Sequence, residues 1–130
     1  MEPAESNGMP RNGIPEDVLI VEDDPIIALD FEDTILGLGV KTVRTAGTVA
    51  TALDLIAARA PDFALLDVGL AREKSFDVAA KLDALGIPFV FVTGYGADKV
   101  PQAFAGHARL PKPCSSDALL IVLQRFAPKL

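Results

Sequence analysis

Phe63-Ala64-Leu65-Leu66-Asp67-Val68-Gly69-Leu70 is an unbroken apolar run that ends on a single carboxylate, with a glycine two residues on. A run this short and this apolar reads as a strand buried on both faces, the kind found inside a parallel sheet. Asp67 then stands where a buried strand surfaces, the edge at which open α/β sheets place their ligands. An equally simple reading makes Asp67 a cap for the turn or helix that follows. The surrounding sequence has to separate the two.

Outward from this run a rhythm recurs: short β-rich runs alternate with helical patterns, each unit taking roughly 20–25 residues, as in βαβ units. Upstream, residues 17–22 form a first strand, and Asp24-Pro25 opens a helix with Asp24 as N-cap and Pro25 in its first turn. Ile27, Phe31, Ile35 and Leu38 share one face of that helix, and Gly37 and Gly39 stop it. A second strand is expected over 40–44. The next helix carries Val49, Ala52, Leu53, Ile56, Ala57 and Ala60 at helical spacing, capped by Thr48 and ended before Pro61.

Downstream, a polar loop over 68–74 leads to a helix through Val78, Ala79, Leu82 and Leu85 to Gly86. A fourth strand covers 87–92, and residues 97–106 have room only for a short or mobile fourth helix, with Pro101 in its middle. A brief fifth strand at 107–110 precedes the turn Pro111-Lys112-Pro113. Ser115 or Ser116 then caps a last helix with Leu119, Leu120, Leu123 and Phe126. Five strands alternating with five helices call for an α/β fold, a doubly wound five-stranded parallel sheet with helices on both faces.

Composition limits what such a fold does. The 130 residues suit one domain: residues 16–130 form it, and residues 1–15, polar and rich in Pro, Gly and Asn, form a flexible tail without the features of a signal peptide. The net charge of −6 argues against a nucleic-acid partner, because the Lys and Arg residues are scattered and form no basic stripe. No apolar run is long enough for membrane insertion. The single cysteine, Cys114, excludes an internal disulfide and fits a reducing, cytoplasmic setting; it reads as a small, partly buried residue. His107, the lone histidine, reads as structural.

In a sheet of this kind all C-terminal strand ends share one edge. Read in order, those ends carry Glu22-Asp23-Asp24, Asp67, Thr93 and Lys112. Acidic groups converging there repel one another, and a hard divalent cation relieves the repulsion; Mg²⁺ favours one or two carboxylates with water and phosphate oxygens. A threonine hydroxyl and a lysine ammonium nearby can hold phosphoryl oxygens. Each feature alone has an ordinary explanation, as a helix cap, a strand residue or a solvated charge. Their joint placement on the ends of strands one, three, four and five favours the chemical reading.

Val21-Glu22-Asp23-Asp24-Pro25, Leu65-Leu66-Asp67, Val92-Thr93-Gly94 and Leu110-Pro111-Lys112-Pro113 together resemble the signature of response-regulator receiver (CheY-like) domains, over about residues 16–127. The resemblance implies a flavodoxin-like strand order of 2-1-3-4-5. It makes Asp67 the phosphoacceptor, which attacks a histidine-bound phosphoryl group to give an aspartyl phosphate. It assigns Mg²⁺ to Glu22, Asp23, Asp67 and the backbone carbonyl of Gly69, with Asp23 the more direct ligand of the acidic pair. Thr93 engages the phosphoryl group, Lys112 is its counter-ion, and the Lys112-Pro113 peptide is cis in the family. Gly94 leaves room beside Thr93.

Two departures stand out. Receivers commonly carry an aromatic residue three positions before the lysine, and here that position is Arg109. Pro88-Phe89-Val90-Phe91-Val92-Thr93-Gly94-Tyr95 resembles the motif of the "FAT GUY" subgroup, with Val92 where alanine is usual. That subgroup implies single-domain receivers paired with HWE-type histidine kinases, and a switching role for Tyr95. The implied function is a stand-alone receiver, not an enzyme, phosphorylated by a sensor histidine kinase or a histidine phosphotransfer protein. It would signal through protein contacts or act as a phosphate sink, and could form a homodimer through the fourth helix, fifth strand and fifth helix. Two rivals are a phosphorylation-independent interaction domain, which would have lost part of the acid–Thr–Lys set, and an aspartyl-nucleophile phosphatase, which would carry a second acid where Gly69 stands.

Overall fold

The computed structural model describes residues 14–68, 70, 75–93, 109–111 and 114–125. Among them the chain runs β1 (Asp17–Val21), α1 (Pro25–Gly37), β2 (Thr42–Ala46), α2 (Val49–Ala58), β3 (Phe63–Asp67), α3 (Phe76–Ala84), β4 (Phe89–Thr93), β5 (Arg109–Pro111) and α4 (Ser116–Arg125). All strand pairs are parallel, in the order β2-β1-β3-β4-β5. This is the expected doubly wound sheet. The short helix expected over 97–106 lies outside the described residues, so α4 is the last helix of the sequence reading.

The alternation of side chains along each strand builds two cores. Leu19, Val21, Ala64, Leu66, Phe89 and Phe91 face α2 and α3, where Val49, Ala52, Ile56, Val78, Ala79 and Leu82 meet them. Val18, Ile20, Phe63, Leu65, Val90 and Val92 face α1 and α4, packing on Phe31, Ile35, Leu119, Val122 and Leu123. Every residue of β1 and β3 is buried, as a central strand covered on both faces requires.

The helix ends explain where the strands begin. α1 and α3 both close with Gly in the left-handed region, Gly39 at φ 108° and Gly86 at φ 72°. Each turn also takes the amide of the next residue: Val40 N donates to Ile35 O at 3.4 Å and Ile87 N to Leu82 O at 2.9 Å. Val40 and Ile87, expected in strands, therefore belong to helix-end turns, and β2 and β4 start two residues later. Gly37 remains helical, so Gly39 alone supplies the stop. On α2, Ala57 is exposed and Ala60 lies beyond the helix end, exposed; half-buried Leu55 packs on the core instead. On α3, Leu85 is exposed.

The packed domain also begins earlier than expected. Ile14, placed in the tail by the sequence reading, is 1% exposed and sits in the core with Val18 and Phe63. Pro15 is buried beside it. At the same end of the sheet the Asp17 carboxylate holds two arginines, Arg44 Nε at 3.2 Å and Arg59 Nε at 2.9 Å. Arg44 also donates to Leu55 O and Arg59 O, closing the C-terminal end of α2.

Candidate functional site

The opposite end of the sheet carries the acids. The last registered pair of β1 and β3 is Val21↔Leu66. Glu22 and Asp67 are the residues that follow, so two adjacent strands deliver carboxylates to one spot. Glu22 is held in place by its amide, which donates to Ala46 O of β2 at 2.9 Å, and its Oε2 accepts from Asp24 N at 3.1 Å.

Asp24 turns away to a separate task. Its side chain accepts from Ile26 N at 2.9 Å and Ile27 N at 3.3 Å, which caps α1 ahead of Pro25. This is the cap that the Asp24-Pro25 pattern predicts, apart from the acidic pair Glu22 and Asp23. Pro25 cannot donate a backbone hydrogen bond, and its ring geometry suits the first helical turn.

Glu22, Asp23 and Asp67 each present an oxygen within 4.8 Å of the others' oxygens. Glu22 is 3% exposed and Asp67 6%, and Asp23 is half-buried. Two buried carboxylates at such a distance repel by about 3 kcal/mol at an effective dielectric of about 20. A set made only of carboxylate oxygens suits a hard divalent cation. The donor set therefore fits Mg²⁺.

β4 and β5 extend the same edge. Asp67 pairs in register with Val92, and Val68 N donates to Val92 O at 3.1 Å, so the backbone of Thr93 ends the strand next to Asp67. Thr93 pairs in turn with Pro111, the residue before Lys112. The Thr93 side chain, Gly69, Gly94, Tyr95, His107, Lys112 and Pro113 lie outside the described residues. So does residues 97–106, part of the face expected to mediate a homodimer.

Arg109, standing where receivers commonly have an aromatic, is exposed and pairs in register with Phe91. Cys114 is half-buried against the α1–α4 core. One neighbour of the acids escaped the sequence reading: Gly47, whose Cβ direction points to Glu22 O at 3.9 Å and Asp23 Cα at 4.0 Å. Nothing local marks it, because its closeness comes from β2 lying beside β1.

The family described as response regulator receiver domain matches residues 18–124. The chain is a receiver domain of that family. Among solved structures this receiver is similar to SdrG from Sphingomonas melonis Fr1, at 41% identity and a TM-score of 0.76, covering 86% of this chain and 96% of that one. It is also similar to SdrG in a BeF3-activated conformation, from Pseudomonas melonis Fr1, at 40% identity and a TM-score of 0.73 over 85% of this chain and 94% of that one. Among curated proteins it is 32% identical over 105 residues to the phyllosphere-induced regulator PhyR of Methylorubrum extorquens, covering 75% of this chain and 35% of PhyR. It is 30% identical to the transcriptional regulatory protein PdtaR of Mycobacterium tuberculosis over 85% of this chain and 56% of PdtaR. The receiver thus spans about a third to just over half of these two relatives.

Proposed function

We propose that Asp67 accepts a phosphoryl group from a phosphorylated histidine of a sensor kinase or phosphotransfer protein. A carboxylate oxygen of Asp67 bonds to phosphorus as the phosphorus–nitrogen bond breaks, and the imidazole leaves with the electron pair and takes up a proton. The observation that carries this reading is the convergence of Glu22, Asp23 and Asp67 within 4.8 Å at neighbouring strand ends. A carboxylate used as a nucleophile must stay ionised in such company, and phosphoryl transfer asks mainly for positioning and charge compensation.

Glu22, Asp23, Asp67 and the Gly69 carbonyl would hold Mg²⁺, which when bound offsets the clustered negative charge. Thr93 and Lys112 would engage the phosphoryl oxygens, and the Lys112–Pro113 peptide would be cis. Tyr95 is the switching candidate. The protein would promote only its own phosphorylation and dephosphorylation, and so act as a regulator and not as an enzyme on other substrates.

Similarity to SdrG over nearly the whole of that chain supports a single-domain regulator that works through protein contacts or as a phosphate sink. The Pro88–Tyr95 segment, with the likeness to PhyR, supports an HWE-type kinase as donor. No helix among the described residues is long and apolar enough to cross a membrane. The reading places the protein in the cytoplasm, where a kinase meets ATP.

The test is incubation of the full chain with acetyl phosphate and Mg²⁺, followed by intact-mass measurement. One added phosphoryl group is expected, absent in Asp67→Ala and absent when Mg²⁺ is chelated. An unchanged wild-type mass, with a histidine-phosphorylated donor also failing to label it, rejects the reading.

A further inference from the structure

At the start of α3 lies a polar group that the acid site leaves unused. Ser75 is fully buried, and its Oγ finds no hydrogen-bond partner among the described residues. A buried hydroxyl in that state has lost its water and received nothing in exchange, which calls for a physical reason.

Ser75 occupies an N-cap position, where a serine side chain ordinarily accepts from the amide two or three residues on. Other caps of this fold do so. Asp24, with ψ 113°, accepts from Ile26 N and Ile27 N, and Thr48, with ψ 162°, accepts from Thr51 N. Ser115 Oγ accepts from Ala118 N at 3.1 Å. Ser75 has φ −79° and ψ 12°, and makes no side-chain cap bond. At that φ the extended range of ψ is equally open to an L residue, so rotation about ψ alone carries Ser75 toward the geometry its counterparts use.

Its place in the chain matters as much as its state. Ser75 closes the connection that begins at Asp67, and Val68 and Leu70 pack the near part of that connection into the core. The next residue, Phe76, stands edge-on to Phe91 with ring centroids 6.0 Å apart. Phe91 lies on β4, the strand that ends at Thr93. The start of α3 is thus tied to both strands that carry the proposed phosphoryl site.

We propose that Ser75 is a two-state latch for the phosphoryl signal: unpartnered while Asp67 is free, and the N-cap of α3, accepting from Asp77 N or Val78 N, once Asp67 is phosphorylated. This rests on Asp67 being the acceptor. A group satisfied in only one of two states biases the equilibrium toward that state, and a phosphoryl group at the start of the connection supplies the local charge and bulk that select it. Ser75 acts as a positioning residue. The route it offers runs through α3 and does not need an inward-turning side chain at Arg109, which is exposed here.

The test uses beryllofluoride with Mg²⁺ as the phosphoryl mimic on the full chain, in wild type, Ser75→Ala and Ser75→Thr. Without the mimic, Ser75→Ala is expected to melt above wild type by roughly 2–6 °C, because it removes the unpartnered hydroxyl. With the mimic, the rise in melting temperature should be smaller in Ser75→Ala than in wild type. Amide exchange at Asp77 or Val78 should slow about tenfold in wild type and in Ser75→Thr, which keeps the hydroxyl, and stay unchanged in Ser75→Ala. If wild type and Ser75→Ala rise equally and neither amide slows, this inference fails while Asp67 stands. If Ser75→Ala melts lower without the mimic, the hydroxyl is already bonded and the latch is again excluded. If wild type shows no response at all, the reading of Asp67 fails and takes the latch with it.

Discussion

Arg44 Nε lies 3.2 Å from Asp17 Oδ1 across the β1–β2 pair, with both side chains largely buried. The second partner, Arg59, is closer at 2.9 Å, yet its side chain is 60% exposed. Burial and not distance decides what each contact is worth. Arg44→Ala leaves the buried Asp17 carboxylate with the mostly exposed Arg59 as partner and uncaps α2, and is expected to cost about 2 kcal/mol in a denaturant titration. Arg59→Ala, removing the shorter but solvated contact, should cost less than about 1 kcal/mol. Equal losses would mean that the two arginines share the carboxylate evenly.

Asp67→Asn should act in the opposite direction on stability. Removing one charge from the Glu22, Asp23 and Asp67 cluster relieves like-charge repulsion, so the variant in chelator should be more stable than wild type by about 1–2 kcal/mol. The same change should remove the rise in melting temperature that Mg²⁺ gives the wild type. A variant that still responds fully to Mg²⁺ would place the cation elsewhere.

Asp24→Ala separates capping from metal binding. It removes the acceptor for Ile26 N and Ile27 N, and a loss of about 1 kcal/mol is expected. The Asp24 amide still donates to Glu22 Oε2, so the acid cluster keeps its arrangement. Mg²⁺ affinity measured by calorimetry should change less than about twofold, that is by under about 0.5 kcal/mol. A tenfold loss would make Asp24 part of the metal site.

Arg109→Ala tests whether position 109 is packed. Arg109 is exposed, and a substitution there should alter stability by less than about 0.5 kcal/mol, by the same denaturant measurement with and without beryllofluoride. A larger loss confined to the beryllofluoride state would show that Arg109 turns inward on activation after all.

The central strands were legible because their information is local. An apolar run such as residues 63–66 can be covered only from both sides, and a carboxylate at its end marks the C-terminal edge of the sheet. The strand pattern alone therefore puts Glu22 and Asp67 on one edge. Asp24 was legible for the same reason, since an acid before Pro25 at a helix start is a short-range pattern.

Other features have no local mark. Val40 and Ile87 look like strand residues, yet the turns at Gly39 and Gly86 claim their amides. Arg44 carries no local mark beyond ending the expected second strand, but Asp17, Leu55 and Arg59 converge on it from distant parts of the chain. Nothing local marks Ser75 at the start of α3, and only its backbone angles and the missing cap bond show that it does not cap. Periodicity and capping chemistry act within a few residues, so they are written in any short window of the chain. The partners of a buried charge or hydroxyl are chosen by packing between segments far apart in sequence, and that choice exists only once the sheet has assembled.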